Sequence, residues 1–161
     1  MGERARILAK RYEQTNEELI AAVEQCSAEQ WRAVCVVENW PVGVTAHHVA
    51  AMAGLDVEVL SVVARGEPWP AISMDAVSEG NARHAHEHAG CTKAETIELL
   101  RRNCQAAAAV IEGFDDGQLD RAWPALWRDD ALLSIEQCVE DHLIGHIREH
   151  LEGIRAAMRP I

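Results

Sequence analysis

The fold class is decided by the stretch SIEQCVEDHLIGHIREHLEGIRAAM, which runs from Ser134 to Met158. It opens with a capping box, in which the Ser134 hydroxyl accepts a hydrogen bond from a free backbone N–H and the Gln137 side chain reaches back to the chain before the helix. Apolar residues then recur at intervals of three and four, the spacing of one helix face. Pro160 follows soon after and cannot continue a helix. The stretch therefore predicts a long amphipathic helix.

Three histidines lie in this predicted helix at intervals of four residues, His142, His146 and His150. This spacing puts them in one row, with neighbouring Cβ atoms about 6 Å apart. Apolar residues flank the row, so at least His146 and His150 should lie on or beside the side that faces the core. Two inward imidazoles one turn apart form half of a divalent-metal site.

A third imidazole has to come from another helix, and the chain offers two adjacent candidates, His47 and His48. His48 shares its helical row with apolar residues such as Val44, whereas the row of His47 includes Glu58 and Arg65. We therefore expect His48 to point inward and His47 to point outward. Three neutral imidazoles with no evident fourth protein ligand leave one coordination position open, as in catalytic rather than structural metal sites.

The rest of the chain predicts further helices. We expect long helices over about 4–26, 41–65, 92–113 and 134–158, and shorter helical pieces over about 27–36 and 74–89. The inward stripe of the second long helix should comprise Val44, His48, Met52, Leu55, Val59 and Val62. Because no alternating strand pattern is present, the fold class is all-α, most simply a four-helix bundle in one domain over residues 1–161.

Residues 114–133 connect the last two long helices and are too many for a plain connection. The segment contains turn signals and two tryptophans, Trp123 and Trp127. We expect it to cover a cavity, with the two tryptophans as candidate walls, although packing in the core is the commoner role of such residues.

Composition narrows the classes of function. The 161 residues carry 15 Lys and Arg against 26 Asp and Glu, a net charge of −11, which would repel nucleic acid and anionic membranes. The N-terminus is charged and no 18 apolar residues run together, so we expect neither export nor a membrane span. Five cysteines without CxxC spacing fit a reduced, cytoplasmic protein.

Several other catalytic signatures are absent from the sequence. There is no His-Glu-x-x-His, no Glu-x-x-His, no glycine-rich phosphate loop and no Gly-x-Ser-x-Gly. A zinc protease, a ferritin-like two-iron protein, a nucleotide-binding protein and a serine hydrolase of that type are therefore unsupported.

Two alternatives stay open at the level of residues. The inward histidines could be core residues that only hydrogen-bond, and His142 could replace His150 as the partner of His146. A rival cluster, His84, His86 and His88, has no apolar stripe, so a solvated helix face is its simplest interpretation, with contacts to ligands or substrate as the alternative.

Two motifs in the sequence resemble those of a known family. Trp40 is followed eight positions later by His48, and the last helix carries His146-Ile-Arg-Glu-His150-Leu-Glu-Gly-Ile154. Together with the Ser27–Trp31, Asp75–Ala89 and Phe114–Leu119 segments, these motifs resemble the DinB-like superfamily, which includes mycothiol-dependent maleylpyruvate isomerases and bacillithiol transferases. The resemblance spans nearly the whole chain.

The resemblance implies a four-helix bundle with an up-down-down-up arrangement, often a homodimer, with one divalent metal ion held by His48, His146 and His150. It favours His150 over His142, and it departs at Pro41, where the family often has Ser or Thr. The implied chemistry uses zinc, nickel or iron to activate a low-molecular-weight thiol, for S-transfer or isomerisation, or a water, on a small-molecule substrate. A non-catalytic metal-binding or stress-response protein of the same fold is the alternative.

Overall fold

Helices form most of the structure, a computed structural model that describes residues 2–68, 72–125 and 128–159. The helices are α1 (Glu3–Gln25), α2 (Val42–Ala64), α3 (Met74–Glu87), α4 (Lys93–Glu112), α5 (Asp116–Leu119), α6 (Ile135–Cys138) and α7 (Gly145–Ala157), with a 3-10 turn at Gln30–Arg32. A π-helical segment, Val139–Ile144, joins α6 to α7. We call these three consecutive pieces the C-terminal helix.

Contacts at the helix ends fix the direction of α1, α2 and α4. The Lys93 ammonium at the start of α4 donates to the carbonyl of Cys26, just beyond the end of α1, at 2.7 Å. The Arg121 guanidinium, beyond the end of α4, donates to the carbonyl of Ala64 at the end of α2. Hence α1 runs opposite to α4, whereas α2 and α4 are parallel.

The C-terminal helix runs parallel to α1. Arg4, near the start of α1, donates to the Glu136 carboxylate at the start of the C-terminal helix, at 2.6 Å. At the opposite end, the Gln30 amide donates to the carbonyl of Met158 at 2.8 Å. The four long helices therefore run up, down, down and up, and the predicted all-α four-helix bundle is confirmed.

Side-chain caps, among them the predicted capping box at Ser134, form the local starts of several helices. The Ser134 backbone N–H donates to Gln137 Oε1 at 2.9 Å, and the Gln137 N–H donates to Ser134 Oγ at 3.2 Å. The Thr92 hydroxyl oxygen accepts from the Glu95 N–H at 3.3 Å and starts α4. These short-range signals explain why the helix starts could be predicted closely.

The helical piece predicted through Val36 is wrong beyond Arg32. The chain there forms an antiparallel hairpin of β1 (Val34–Cys35) and β2 (Trp40–Pro41). Val34 and Trp40 are of types that favour extended backbone, and Asn39 closes the turn with a φ of 57°, a conformation that Asn tolerates. This hairpin leads directly into α2.

The segment before the last helix also forms strands. Its described part contains α5 and a second antiparallel hairpin, β3 (Ala122–Ala125) and β4 (Ala131–Ser134). Trp123 packs against the hydrophobic core, and Trp127 lies outside the described residues. Residues 114–133 were expected to cover a cavity. The described residues of this segment do not line the cavity reported in the next subsection, so the structure does not show such a cover there.

The inward stripe predicted for α2 is correct only in the first half of the helix. Val44 and His48 are buried, but Leu55 is 42 % exposed, and the second half instead buries Ala53, Leu60 and Val63. A single row cannot describe a helix that packs against α4 on one side and the C-terminal helix on the other.

Among the described residues, α2 is the helix that is long and apolar enough to cross a membrane by length and composition alone. In this structure α2 packs inside the bundle against α4 and α7. A core helix of a bundle meets the same criterion of length and apolar composition.

Candidate metal centre

Three imidazoles meet between α2 and α7. His146 Nε2 lies 3.3 Å from His48 Nε2 and 2.9 Å from His150 Nε2. The three rings stand nearly perpendicular to one another, at 71°, 80° and 85°. We call His48, His146 and His150 the inner cluster. These are the three residues that the sequence predicts as ligands, and the structure brings them together.

Hydrogen bonding alone does not account for this geometry. An imidazole nitrogen carries one N–H or one lone pair in the ring plane, so His146 Nε2 can make one ordinary hydrogen bond, not two. In a site with metal–nitrogen bonds of about 2.0 to 2.1 Å, tetrahedral ligands lie about 3.3 Å apart and octahedral neighbours about 2.9 Å. The donor chemistry and the spacing of the inner cluster therefore fit a divalent cation.

Burial keeps two imidazoles of the inner cluster, His48 and His146, neutral. His48 is 4 % exposed and His150 is 8 % exposed. Removal from water, reinforced by the neighbouring imidazoles, lowers the pKa of His48 to about 3 and the pKa of His146 to about 2. Neutral imidazoles offer lone pairs, which is the state that binds metal.

Glu38 fixes the orientation of His150. Its Oε1 lies 2.7 Å from His150 Nδ1, and both side chains are 10 % exposed. A ring that donates Nδ1–H to a carboxylate leaves the Nε2 lone pair for the cluster, an arrangement typical of metal-binding histidines. The other oxygen, Oε2, is buried and has no hydrogen-bond partner among the described residues.

The first hairpin places Glu38. The turn between β1 and β2 comprises residues 36–39, and the Asn39 N–H donates to the carbonyl of Cys35 at 2.9 Å. Val36 is 90 % exposed, whereas Glu38 points inward to His150. The next residue, Trp40, sets the edge of its ring against His48, with centroids 5.3 Å apart. Glu38 was not among the predicted site residues, because it lies between the helical piece predicted over 27–36 and the helix predicted over 41–65, and no local pattern there points to His150.

The start of α2 is fixed by Trp31. A Cβ atom at Gly43 would lie 2.6 Å from Trp31 Cζ2, so only glycine allows this approach. The indole N–H donates to the carbonyl of Cys91, 3.2 Å away, before α4 begins. The first turn of α2, which precedes His47 and His48, is therefore held at a fixed position.

His142 lies in the π-helical segment and borders the inner cluster without belonging to it. The segment ends at Ile144, directly before the α-helical turn that carries His146 and His150. His142 Nε2 lies 3.6 Å from Asp56 Oδ1 on α2, and its ring is stacked on His146. The rings of His142, His146 and His150 therefore follow one another as predicted, although the first of them lies in a π-helical segment, a feature that is frequent at functional sites.

A second group of histidines lies next to the first. His47 Nδ1 is 3.2 Å from His84 Nε2, and the His47 ring is stacked on His88 with centroids 4.0 Å apart. We call His47, His84 and His88 the outer cluster. All three are half-buried. The expectation that His47 points outward is therefore wrong, and so is the expectation that His84 and His88 lie on a solvated face of α3. Only His86 of the rival histidines is exposed.

A cavity of about 620 Å³ opens beside the outer cluster. His47 and His88 line it together with Cys91, and burial raises the pKa of the Cys91 thiol. Its charged lining residues are Glu87, Glu95, Glu98 and Arg102. Three carboxylates against one guanidinium make it a place for neutral or cationic groups.

Comparison with known proteins agrees with this architecture. The structure is similar to one described as "YfiT from Bacillus subtilis is a probable metal-dependent hydrolase with an unusual four-helix bundle topology", with a TM-score of 0.76 and 16 % sequence identity over 98 % of this chain and 87 % of that chain. No curated protein matches the sequence significantly. The sequence profile of the DinB superfamily matches residues 11–154. The chain therefore belongs to the DinB superfamily.

Proposed function

We propose that the chain is a metal-dependent enzyme, acting as a hydrolase on a small-molecule substrate, with His48, His146 and His150 as the ligands of one divalent cation. The observation that carries this proposal is the convergence of three Nε2 atoms. That of His146 lies 2.9 Å from that of His150 and 3.3 Å from that of His48. When bound, zinc, nickel or iron would supply a Lewis acid that lowers the pKa of a water or thiol in the remaining position.

The residues around the cluster have separate tasks. Glu38 accepts from His150 Nδ1 and holds that ring in one orientation. Trp40 packs edge-on against His48 and limits its rotation. Because these supports come from the hairpin and not from α2 or α7, the ligands are held from three directions.

The low-molecular-weight thiol that the resemblance implies is the second candidate nucleophile. Thiols such as glutathione carry carboxylates, and the cavity beside the outer cluster has three glutamates against one arginine. This balance of charge favours water over an anionic thiol. We further propose a cytoplasmic homodimer that contacts neither nucleic acid nor membrane, in line with the net charge of −11.

Metal content tests the ligand assignment. Protein purified without an affinity tag should contain one tightly bound divalent ion per chain, and His48→Ala and His150→Ala should each lose it. His86→Ala, an exposed histidine on α3, is the matched control and should retain the ion. Circular dichroism checks that each variant remains helical. Unchanged metal in both ligand variants would contradict the assignment.

Turnover tests the enzymatic part of the proposal. Chromogenic esters and amides should be hydrolysed by the metal-loaded protein, not by the chelated protein, with recovery when metal is returned. A parallel assay with glutathione, bacillithiol or mycothiol and a simple electrophile distinguishes transfer to a thiol from hydrolysis. A bound ion with no metal-dependent turnover in either assay would favour the non-catalytic, metal-binding alternative.

A further inference from the structure

The outer cluster is a group of donors that the proposed hydrolase site does not use. We propose that His47, His84 and His88 form a second, weaker site for a divalent transition-metal cation, at the rim of the cavity, and that a cation bound there ties α3 to α2.

The donor atoms carry the first step of this inference. One nitrogen from each of the three residues lies within 4.8 Å of the other two, and the closest pair, His47 Nδ1 and His84 Nε2, is 3.2 Å apart. Ligand nitrogens of a tetrahedral zinc ion are about 3.3 Å apart, so His88 has to close in by a small rotation. The His88 ring now lies against both partners, with centroids 4.0 Å from His47 and 4.5 Å from His84, so it has to turn one nitrogen toward the ion.

The electrostatic surroundings favour a cation. Glu87, Glu95 and Glu98 line the adjoining cavity, whereas Arg102 is the one cationic residue among the described residues that line it. Carboxylates close to imidazole ligands stabilise the positive charge of a bound ion.

The packing of α3 gives the site a structural consequence. This helix has 14 residues, none of them buried, and its apolar residues Met74 and Val77 are 48 % and 37 % exposed. Apolar burial therefore holds it only weakly on the bundle. The contacts of His84 and His88 with His47 join α3 to α2, and coordination would strengthen this junction.

The inner and outer clusters are neighbours, which sets the order of binding. The ring centroids of His48 and His84 are 5.5 Å apart. Two divalent ions held on adjacent imidazoles repel each other, and the outer cluster is less buried and less tightly assembled. We expect the outer site to bind at least tenfold more weakly than the inner site.

Titration with ZnCl₂ and CoCl₂ tests the proposal on the full chain purified without a tag. By equilibrium dialysis the wild-type protein should bind two equivalents of metal, the second more weakly. His84→Ala and His88→Ala should lose the weaker equivalent and keep the tighter one. His86→Ala should bind both, and His146→Ala should lose the tighter equivalent alone.

Hydrogen exchange provides a second readout that does not depend on activity. The second equivalent of zinc should slow amide exchange in Met74–Glu87 of the wild-type protein, but not in His88→Ala. A single equivalent in the wild-type protein, or a weaker equivalent that survives both His84→Ala and His88→Ala, would overturn the inference. Neither result affects the inner site. The inner site would be contradicted if His146→Ala still bound the tighter equivalent of metal.

Discussion

Two clusters of three histidines lie side by side in this protein, and adjacent residues of one helix contribute to both. His48 enters the inner cluster and His47 enters the outer one, because successive residues of an α-helix point about 100° apart. The inner cluster is buried against α7 and supported by Glu38, whereas the outer cluster is half-buried and opens onto a cavity.

The difference between the clusters shows what turns a row of histidines into a site. Both have the same residue types and similar spacing in the sequence. The inner cluster gains its rigidity from core helices and from a carboxylate that fixes a ring, whereas α3 brings the outer histidines to α2 without burying a residue of its own. Burial and support, rather than composition, separate a preformed site from a loose one.

The largest expected effect is on thermal stability. Free zinc at a thousandfold excess over its dissociation constant should stabilise the protein by about 4 kcal/mol relative to the chelated protein. For a chain of this size, each kcal/mol shifts Tm by about 2 to 4 °C. Differential scanning calorimetry should therefore show a rise in Tm of about 8 to 16 °C.

Two variants show which of the two clusters causes this rise in Tm. His146→Leu should remove most of it, and the metal-free variant should melt no lower than metal-free wild type, since a buried, uncoordinated imidazole is removed. His88→Leu should keep most of the shift. An equal rise in Tm in His146→Leu would show that the inner cluster is not the tight site.

A smaller effect is expected for Glu38→Gln. The amide keeps the shape of the side chain but removes the charge that orients His150, so zinc affinity should fall by about ten- to a hundredfold. Competition with a chromogenic chelator measures this. Glu58→Gln, on the exposed side of α2, is the control and should bind zinc like wild type. Equal affinities would mean that Glu38 does not support the inner cluster.

The smallest effects concern the helix that both clusters share. Gly43→Ala should destabilise the metal-free protein by about 1 to 3 kcal/mol, because the new Cβ overlaps Trp31. Gly54→Ala meets nothing within 4 Å and should stabilise it by up to about 1 kcal/mol. Urea unfolding compares the two. Similar changes in both variants would contradict a fixed start of α2.

The long helices could be predicted because their signals are local. Caps such as Ser134 with Gln137, and apolar residues at helical spacing, lie within a few residues of one another. The first hairpin was missed because residues 27–36 were predicted to be a helical piece, although Val34 favours extended backbone.

The inner cluster was predicted in part for the same reason. His146 and His150 are one turn apart, and His48 lies in a row that is buried in its first half. Glu38 had no such signal, since it is 112 residues from His150 and contacts it only across the fold. His84 was assigned to solvent because a helix without an apolar stripe does not show which surface it will meet.

By itself the sequence determined the four long helices, the inward direction of His48, His146 and His150, and the acidic charge of the chain. Helical periodicity is a local pattern, and the net charge follows from composition alone. Only the tertiary structure decided that Glu38 would reach His150, that α3 would bring His84 and His88 to His47, and that Asp56 would lie beside His142. Those contacts join residues far apart in the chain, and they arise when the bundle packs.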